Sequence, residues 1–377
     1  MDFELSAEQE LFWTTTKKFL DAECPIPTVR ALADDPVGFD AAWWQRGAAL
    51  GWTSAFVPAE FGGGSVSGRP VLDLVIVAEE FGRHVGPGPL LPTNVVAAAI
   101  AAAGTDDQRT AVLPALASGE QVAAWAFAEP GRAWRPRDVA LQAERAGDTW
   151  VLDGEKAYVE AAAQAAWLLV TARGPDGLIQ FLVPADAEGI IVTPVESLDL
   201  VRRFGHVRFD RARVPASSVL GDERDAGADV EYQLQLALAV QCAEMVGAID
   251  RVFEFTVQWA FDRYSFGRPL ASYQALKHRF ADMKMWLEAC HGTATAAARA
   301  VDGGAADASE LVSVAKAYIG DQAPELVQDC VQLHGGIGIT WEHDIHLYLR
   351  RVTQDRSLYG APAQHRDRVA ALLGMGG

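Results

Sequence analysis

The pattern of apolar and polar positions divides the chain into three parts. In residues 1–120 the apolar positions recur at helical spacing. Ser6-Ala7-Glu8-Gln9 reads as a capping box, in which serine and glutamine each satisfy an orphan amide of the other. Behind it Leu11, Phe12, Phe19 and Leu20 mark one helix face, and Pro25 and Pro27 end the helix. Further helices are predicted near Asp40–Leu50, over Val71–Gly82 and over Gln108–Ala117, with a Gly/Pro-rich loop at Pro58–Gly64.

Residues 121–225 change to short β-rich runs: Val122–Ala128, Thr149–Leu152, Trp167–Ala172, Ile179–Val183 and Gly189–Thr193. Turn signals such as Arg145-Ala-Gly-Asp148 and Gly174-Pro-Asp-Gly177 separate them. The spacing predicts an antiparallel barrel or sandwich, and no helical pattern interrupts it to build a parallel doubly wound sheet. Residues 226–377 return to long helices, drawn over Val230–Tyr264, Ser272–Val301, Ser309–Leu333 and Ile345–Leu358. Short connections between them predict a four-helix bundle, with a kink in the third helix at Pro324. The fold class expected is therefore α+β: an N-terminal helical domain, a middle antiparallel β-barrel domain and a C-terminal bundle.

A chain of 377 residues exceeds what one core usually serves, so several domains are expected. The net charge of −18 argues against a nucleic-acid surface or an anionic membrane as partner. The N-terminus is acidic and lacks a signal-peptide pattern, and the apolar run at Asn94–Ala103 is too short to span a bilayer. Cys24, Cys242, Cys290 and Cys330 match no zinc or redox spacing and read as reduced, buried thiols, which places the protein in the cytoplasm.

Two segments carry candidate chemistry. Between the first two bundle helices lies Arg263-x-x-Phe266-Gly267-x-Pro269, followed by Gln274. It adds an arginine, an aromatic ring and an amide to what a helix connection needs, a set suited to a large, planar, phosphate-bearing ligand. The third bundle helix ends in Gln332-Leu-His-Gly335-Gly336-Ile-Gly338. A C-cap explains one or two of these glycines, and the rest fit backbone that a ligand approaches closely.

Together these segments resemble the acyl-CoA dehydrogenase family of flavoproteins. Leu50–Gly64, Glu79-Glu-Phe-Gly-Arg83, Glu129-Pro130 and the run from Gly147 to Lys156 resemble other family segments, in the right order. The resemblance implies an FAD cofactor, an acyl-CoA substrate and an electron-transfer flavoprotein or similar acceptor. It also implies that Arg263, Phe266 and Gln274 reach into a neighbouring subunit's site, with Arg263 on the pyrophosphate, while Gln332, Gly335 and Gly336 contact the adenosine end.

The departures from the family are as informative. The usual catalytic glutamate falls on Gly360 in Leu358-Tyr359-Gly360-Ala361-Pro362, and an alternative base position, on the helix before the arginine motif, falls on Ala237. Neither residue can take a proton from the carbon next to a thioester. A Trp-Ile-Thr run whose threonine faces the flavin is replaced by Tyr158-Val159-Glu160, and an expected Gly-Ser-Asp by Gly131–Asp138. The chain thus resembles a base-lacking subunit of the heteromeric acyl-CoA dehydrogenases of actinobacterial sterol and lipid catabolism, in which a paralogous subunit supplies the base. Two other readings stand beside this one: a self-sufficient enzyme with a base relocated to Glu160, Glu244 or Glu342, and a flavin-free scaffold.

Glu342, His343 and His346 read as a helix start rather than a metal cluster, with His346 placed near the substrate pocket. Arg202, Arg203, Arg208, Arg211 and Arg213 fit either a CoA phosphate or a solvated strand face, and stay unassigned.

Overall fold

A computed structural model describes residues 5–221, 223 and 225–375. Six helices come first: α1 (Ala7–Glu23), α2 (Ile26–Ala31), α3 (Ala41–Ala49), α4 (Pro70–His84), α5 (Leu90–Ala103) and α6 (Asp106–Ala117). The capping box at Ser6 and Gln9 is formed, and a second one, Thr105 with Gln108, starts α6. The short α2 and the apolar α5 were not expected as helices. All residues of α5 from Leu90 to Ile100 are buried, so it has no polar face to give a helical period. No described helix is long and apolar enough to cross a membrane.

The middle of the chain forms β1 (Ala123–Ala126), β2 (Gln142–Ala146), β3 (Thr149–Glu160), β4 (Trp167–Gly174), β5 (Gly177–Pro184), β6 (Ile190–Val195), β7 (Phe204–Pro215) and β8 (Val219–Leu220). Their ladder runs β6-β7-β3-β2-β4-β5-β8, with β1 on β4. This is a mixed sheet and corrects the antiparallel expectation: β1 lies parallel to β4, and β2 meets β4 in parallel at Gln142 and Arg173. The β2–β3 hairpin separates β1 from β4, so no tight turn forces those two strands into opposite directions. The described ladder is an open path from β6 to β8, in place of a closed barrel.

The strand period of two sorts side chains between two cores. Leu168 and Val170 join the sheet's own cluster with Trp150, Phe181, Val207 and Phe209. Leu169, between them, joins the helical core with Trp125, Phe127 and Leu182. Strand β7 escaped notice because arginines occupy its outward positions, while Val207, Phe209, Ala212 and Val214 point inward.

The C-terminal helices are α7 (Gly227–Asp262), α8 (Gln274–Asp302), α9 (Ala308–His334), α10 (Ile345–Ser357) and α11 (Pro362–Leu372). Four match the expected bundle, α9 runs through Pro324 as one helix, and α11 is additional. Between α7 and α8 the chain makes a small hairpin, β9 (Tyr264–Ser265) with β10 (Arg268–Pro269). All four cysteines are free and buried.

Helix α4 joins the N-terminal helices to the bundle by crossing α7 at a pair of glycines. A Cβ added at Gly82 would overlap the backbone carbonyl of Glu244, and one at Gly247 the carbonyl of Glu79. Backbone on both sides leaves no flexible side chain to yield. Gly82→Ala and Gly247→Ala are each expected to lower unfolding free energy by about 2–3 kcal/mol through overpacking, as read by urea denaturation. A change under about 0.5 kcal/mol would mean that the helices separate freely.

Candidate active site and cofactor arm

The two ligand motifs meet at one end of the bundle. Helix α8 begins at Gln274 and α9 closes just after Gln332. The antiparallel α8–α9 pair is fastened near this end by the Arg279–Asp329 ion pair and the Cys330–Met283 sulfur contact at 4.0 Å. The Arg263 guanidinium lies 5.9 Å over the Trp259 ring, and Trp259 stacks on His334, directly before Gly335, with centroids 5.2 Å apart. A short line of rings thus joins Arg263 to the glycine loop.

The hairpin turn is built against local preference. Phe266 and Gly267 have φ of 50° and 81°. Positive φ at both central positions is the type I′ geometry that favours Asn-Gly or Gly-Gly, so phenylalanine there carries strain of about 1–3 kcal/mol. Its ring is 98 % exposed, which gives the strain no return within this chain. The turn is braced from below: Arg268 sits 3.8 Å over the Tyr273 ring, and the Tyr273 hydroxyl donates to the Ser265 carbonyl at 2.7 Å. Arg263, Gln274 and Gln332 are likewise exposed. Gly335 has φ of 65°, and a Cβ on Gly335 or Gly336 would meet nothing within 4 Å. An exposed arginine, a strained and solvent-facing ring, two exposed amides and open space over two glycines fit a large external anionic group such as FAD. Among the described residues, the side chains of Arg263, Gln274 and Gln332 make no hydrogen bond, so they are donors open to an outside ligand.

Of the positions where a base and a flavin face were sought, Tyr158 and Tyr359 meet through Trp134, and Glu160 meets α10 through Arg202. Ala237 is fully buried in α7. Gly360 has φ of 108°, and a Cβ there would stand 2.8 Å from His365 Nε2. Its neighbour Tyr359 is buried, with its ring 5.9 Å from Trp125 and 5.0 Å from Trp134. Trp125 stacks on Phe127 at 4.8 Å, and Trp134 faces Tyr158 at 6.4 Å.

Glu160 turns inward. Its two oxygens accept from Arg202 Nε at 2.9 Å and Nη2 at 2.6 Å, a bidentate pair. Arg202 Nη1 also reaches Asp355 at 2.7 Å and Glu244 at 3.5 Å. Arg351 pairs with Glu244 and Asp199 and donates to the Gly86 carbonyl at 3.3 Å. Lys316 donates to the Gln241 side chain and to the Asp355 carbonyl. Four acids and three bases, all buried, therefore form one network spanning β3, the loop before β7, α7, α9 and α10. Arg202, expected on a strand face or a CoA phosphate, is its centre. Arg203 instead binds the carbonyls of Leu32, Ala33, Asp35 and Leu200, while Arg208 stays exposed beside Asp210.

Burial dominates the protonation of this network. It pushes the Asp355 carboxyl up to about 7 against the pull of Arg202, and the Lys316 ammonium down to about 8. Burial also raises Glu160, with Arg202 opposing. Asp199 feels the same burial, but the Arg351 guanidinium prevails and holds it below the usual carboxylate range. The proposed relocated bases fare differently from their expected roles. Glu160 and Glu244 are held by arginines inside the core, and Glu342 lies exposed in the loop before α10. His346, in the first turn of α10, stacks on Trp341 at 4.6 Å and lies 3.4 Å from Arg30 Nη2.

The sequence reading missed Asp199, Arg351, Asp355 and Lys316. Arginine and aspartate spaced by four on α10 resemble an ordinary exposed helix pair. It also missed the use of Lys156, which is fully buried and bonds the Glu129 carboxylate at 2.8 Å and the Phe127 carbonyl at 3.0 Å. Glu129 in turn accepts from the amides of Ala140 and Leu141, closing the Gly131–Asp138 segment as a loop.

Comparisons with known proteins agree with this architecture. The chain matches the acyl-CoA dehydrogenase N-terminal domain over residues 6–120, the middle domain over 124–212 and the C-terminal domain over 228–374. Acyl-CoA dehydrogenase IpdE2 of Mycolicibacterium smegmatis is 29% identical over 97% of this chain and 99% of its own length. Acyl-CoA dehydrogenase fadE12 of Mycobacterium tuberculosis is 30% identical over 80% of each chain. Among solved structures, a variant of the Tcur3481-Tcur3483 steroid ACAD superposes with a TM-score of 0.87 and 30% identity, over 97% of this chain and 98% of that one. A glutaryl-CoA dehydrogenase from Mycobacterium smegmatis in complex with FADH2 shares the fold, with a TM-score of 0.90 at 22% identity over 99% and 96% of the two chains. The chain belongs to the acyl-CoA dehydrogenase family, FAD-dependent oxidoreductases acting on CH–CH donors.

His365 supplies a pH test of the region around Gly360. Its Nε2–H donates to the Tyr359 carbonyl at 3.0 Å, and its Nδ1 is buried without a partner. Burial lowers its pKa to about 3. The folded state therefore binds fewer protons than the unfolded state between pH 3 and about 6.5, so stability rises with pH across that window and is lost as pH falls. The slope is at most about 1.4 kcal/mol per pH unit. His365→Gln, which keeps the donor, is expected to flatten the curve there, as measured by denaturation between pH 4.5 and 7. Parallel curves for the two proteins would place His365 in contact with water.

Proposed function

We propose that this chain is a subunit of a heteromeric acyl-CoA dehydrogenase, lending FAD contacts to a site whose catalytic base lies on a paralogous partner. The observation that carries the reading is the contrast between two ends of the molecule. The arm with Arg263, Phe266, Gln274, Gln332, Gly335 and Gly336 is exposed, and the strained turn at Phe266 holds a ring that is 98 % exposed among the described residues. The base positions Gly360 and Ala237 are inert, and the nearest carboxylates are engaged by arginines. The similarity to a Tcur3481-Tcur3483 steroid ACAD, whose name joins two gene products, supports a two-chain assembly and a lipid or sterol acyl-CoA as substrate.

In this reading Arg263 neutralises the pyrophosphate with its planar fork, Phe266 covers the cofactor from outside and Gln274 hydrogen-bonds it. Gln332 and the open backbone at Gly335 and Gly336 receive the adenosine end. When bound, FAD supplies the acceptor for the β-hydride of the acyl group. The partner's base removes the α-proton, and an electron-transfer flavoprotein or similar acceptor reoxidises the complex.

Co-expression with the paralogue tests this. FAD is expected in the complex and lost, by at least about tenfold in occupancy, with Arg263→Ala. The purified single chain is expected to show no acyl-CoA dehydrogenation. Full flavin loading and turnover by the single chain would refute the proposal, and unchanged FAD in the Arg263→Ala complex would favour a flavin-free scaffold. Gly360→Glu is expected to lower stability by about 1–3 kcal/mol, through its left-handed backbone and the His365 contact, without creating activity in the single chain.

A further inference from the structure

We propose that Glu79, Asp250 and His291, where α4, α7 and α8 meet, form a binding site for a divalent cation of the zinc class. This site is separate from the cofactor arm and independent of the heteromer reading.

The donor set and its placement come first. The glycine crossing presses the α4 backbone at Glu79 onto α7 at Gly247. One turn further along α7 stands Asp250, and His291 of α8 completes the group, all three partly buried. One ligand atom from each lies within 4.8 Å of the other two, and His291 Nε2 is 3.1 Å from Asp250 Oδ2. Zinc held at about 2.0–2.2 Å in a tetrahedral site needs its donors about 3.3 Å apart. The set therefore has to close by no more than about 1.5 Å, which side-chain rotation supplies.

The imidazole adds a second, independent sign. A neutral imidazole carries one lone pair. Among the described residues His291 gives that pair no donor: Nε2 faces the Asp250 carboxylate, itself an acceptor, and Nδ1 is buried with no hydrogen-bond partner. A metal cation is what such a lone pair takes.

The surroundings supply a third. Glu79 and Asp250 line a cavity of about 350 Å³ together with Glu80, Glu254, Lys17 and Arg83. Glu80 is 2 % exposed. Its Oε1 accepts from Trp13 Nε1 at 2.7 Å, while Oε2 has no hydrogen-bond partner and stands 3.6 Å from His84 Nδ1. Four acids thus face two cations across this space. Both cations are committed, Lys17 to Asp21 at 2.7 Å and Arg83 to the two oxygens of Glu254 at 2.8 and 2.6 Å. Arg83 reaches Asp250 only at 3.6 Å, beyond hydrogen-bond distance. Surplus negative charge and buried acceptors without donors favour a cation from outside.

The ligand types name its class. Oxygen ligands alone suit Mg²⁺ or Ca²⁺, whereas an imidazole shifts the preference to Zn²⁺ and its neighbours. Bound there, the ion staples α4 to α7 and α8, the junction between the N-terminal helices and the bundle.

The full chain, in the assembly in which it purifies, is freed of metal with a chelator and titrated by calorimetry with Zn²⁺ and separately with Mg²⁺, as wild type, Glu79→Gln and His291→Gln. One Zn²⁺ per copy of this chain is expected, with Mg²⁺ weaker by about a hundredfold or more. Each variant is expected to weaken that Zn²⁺ at least about tenfold. Zn²⁺ is also expected to raise the melting temperature of the wild type and not of His291→Gln. X-ray absorption on the loaded wild type is expected to show a nitrogen and oxygen shell at about 2.0–2.2 Å that includes imidazole, and it decides the question even where a variant fails to fold. No saturable Zn²⁺ binding by the folded wild type, or Mg²⁺ binding as tight as Zn²⁺, would overturn the site. Equal Zn²⁺ affinity in wild type and both folded variants, or a bound ion without an imidazole ligand, would mark an adventitious ion only and overturn it as well.

Discussion

The buried pairing of Arg202 and Arg351 with Glu160, Glu244, Asp199 and Asp355 is the constraint on which the arrangement of this protein depends. Each guanidinium has been taken from water and must find acceptors within the fold. Their carboxylate partners sit on the sheet, on α7 and on α10, so satisfying two arginines fixes three structural layers relative to one another. The network carries four acids against three bases, and the interior resolves the mismatch by raising Asp355 toward neutrality. Such a cluster specifies one spacing between layers more sharply than apolar contact, because a displaced charge has no alternative partner nearby.

The glycine crossing of α4 and α7 serves the same end by a different route. Gly82 and Gly247 let two backbones touch, which places the Glu244 side of α7 against the N-terminal helices while the carboxylate points to the arginines. Close packing and charge pairing therefore meet at one turn of α7. The far end of that helix has the opposite character. There Arg263, Phe266 and the glycine loop are exposed, and the chain holds a phenylalanine in a left-handed turn with no internal contact to favour it. One long helix thus links a buried, charge-paired interior to an exposed arm.

Local periodicity made most of the helices legible. Ser6 with Gln9 announced α1, and the four long C-terminal helices were visible as amphipathic stretches with short links. Failures occurred where burial erased the pattern, as in α5, or where arginines masked it, as in β7. The sheet's parallel pairings were hidden because strand neighbours distant in sequence leave no local trace. In the candidate site, the arm was readable because its residues are contiguous. The ion network was not, since Glu160, Arg202, Glu244 and Asp355 are separated by long stretches of chain and each, alone, resembles a surface charge.

The sequence by itself determined the helix–sheet–helix order, the family likeness and the absence of a side chain at Gly360 and of a carboxylate at Ala237. These depend on residue identity and short-range spacing, which a single chain records directly. Only the tertiary structure decided that Arg202 faces inward, that Glu160 and Glu244 are held by arginines, and that Tyr359 is buried beside Trp125 and Trp134. A side chain's charge is written in the sequence, but its partner and its dielectric surroundings are set by what folding brings beside it.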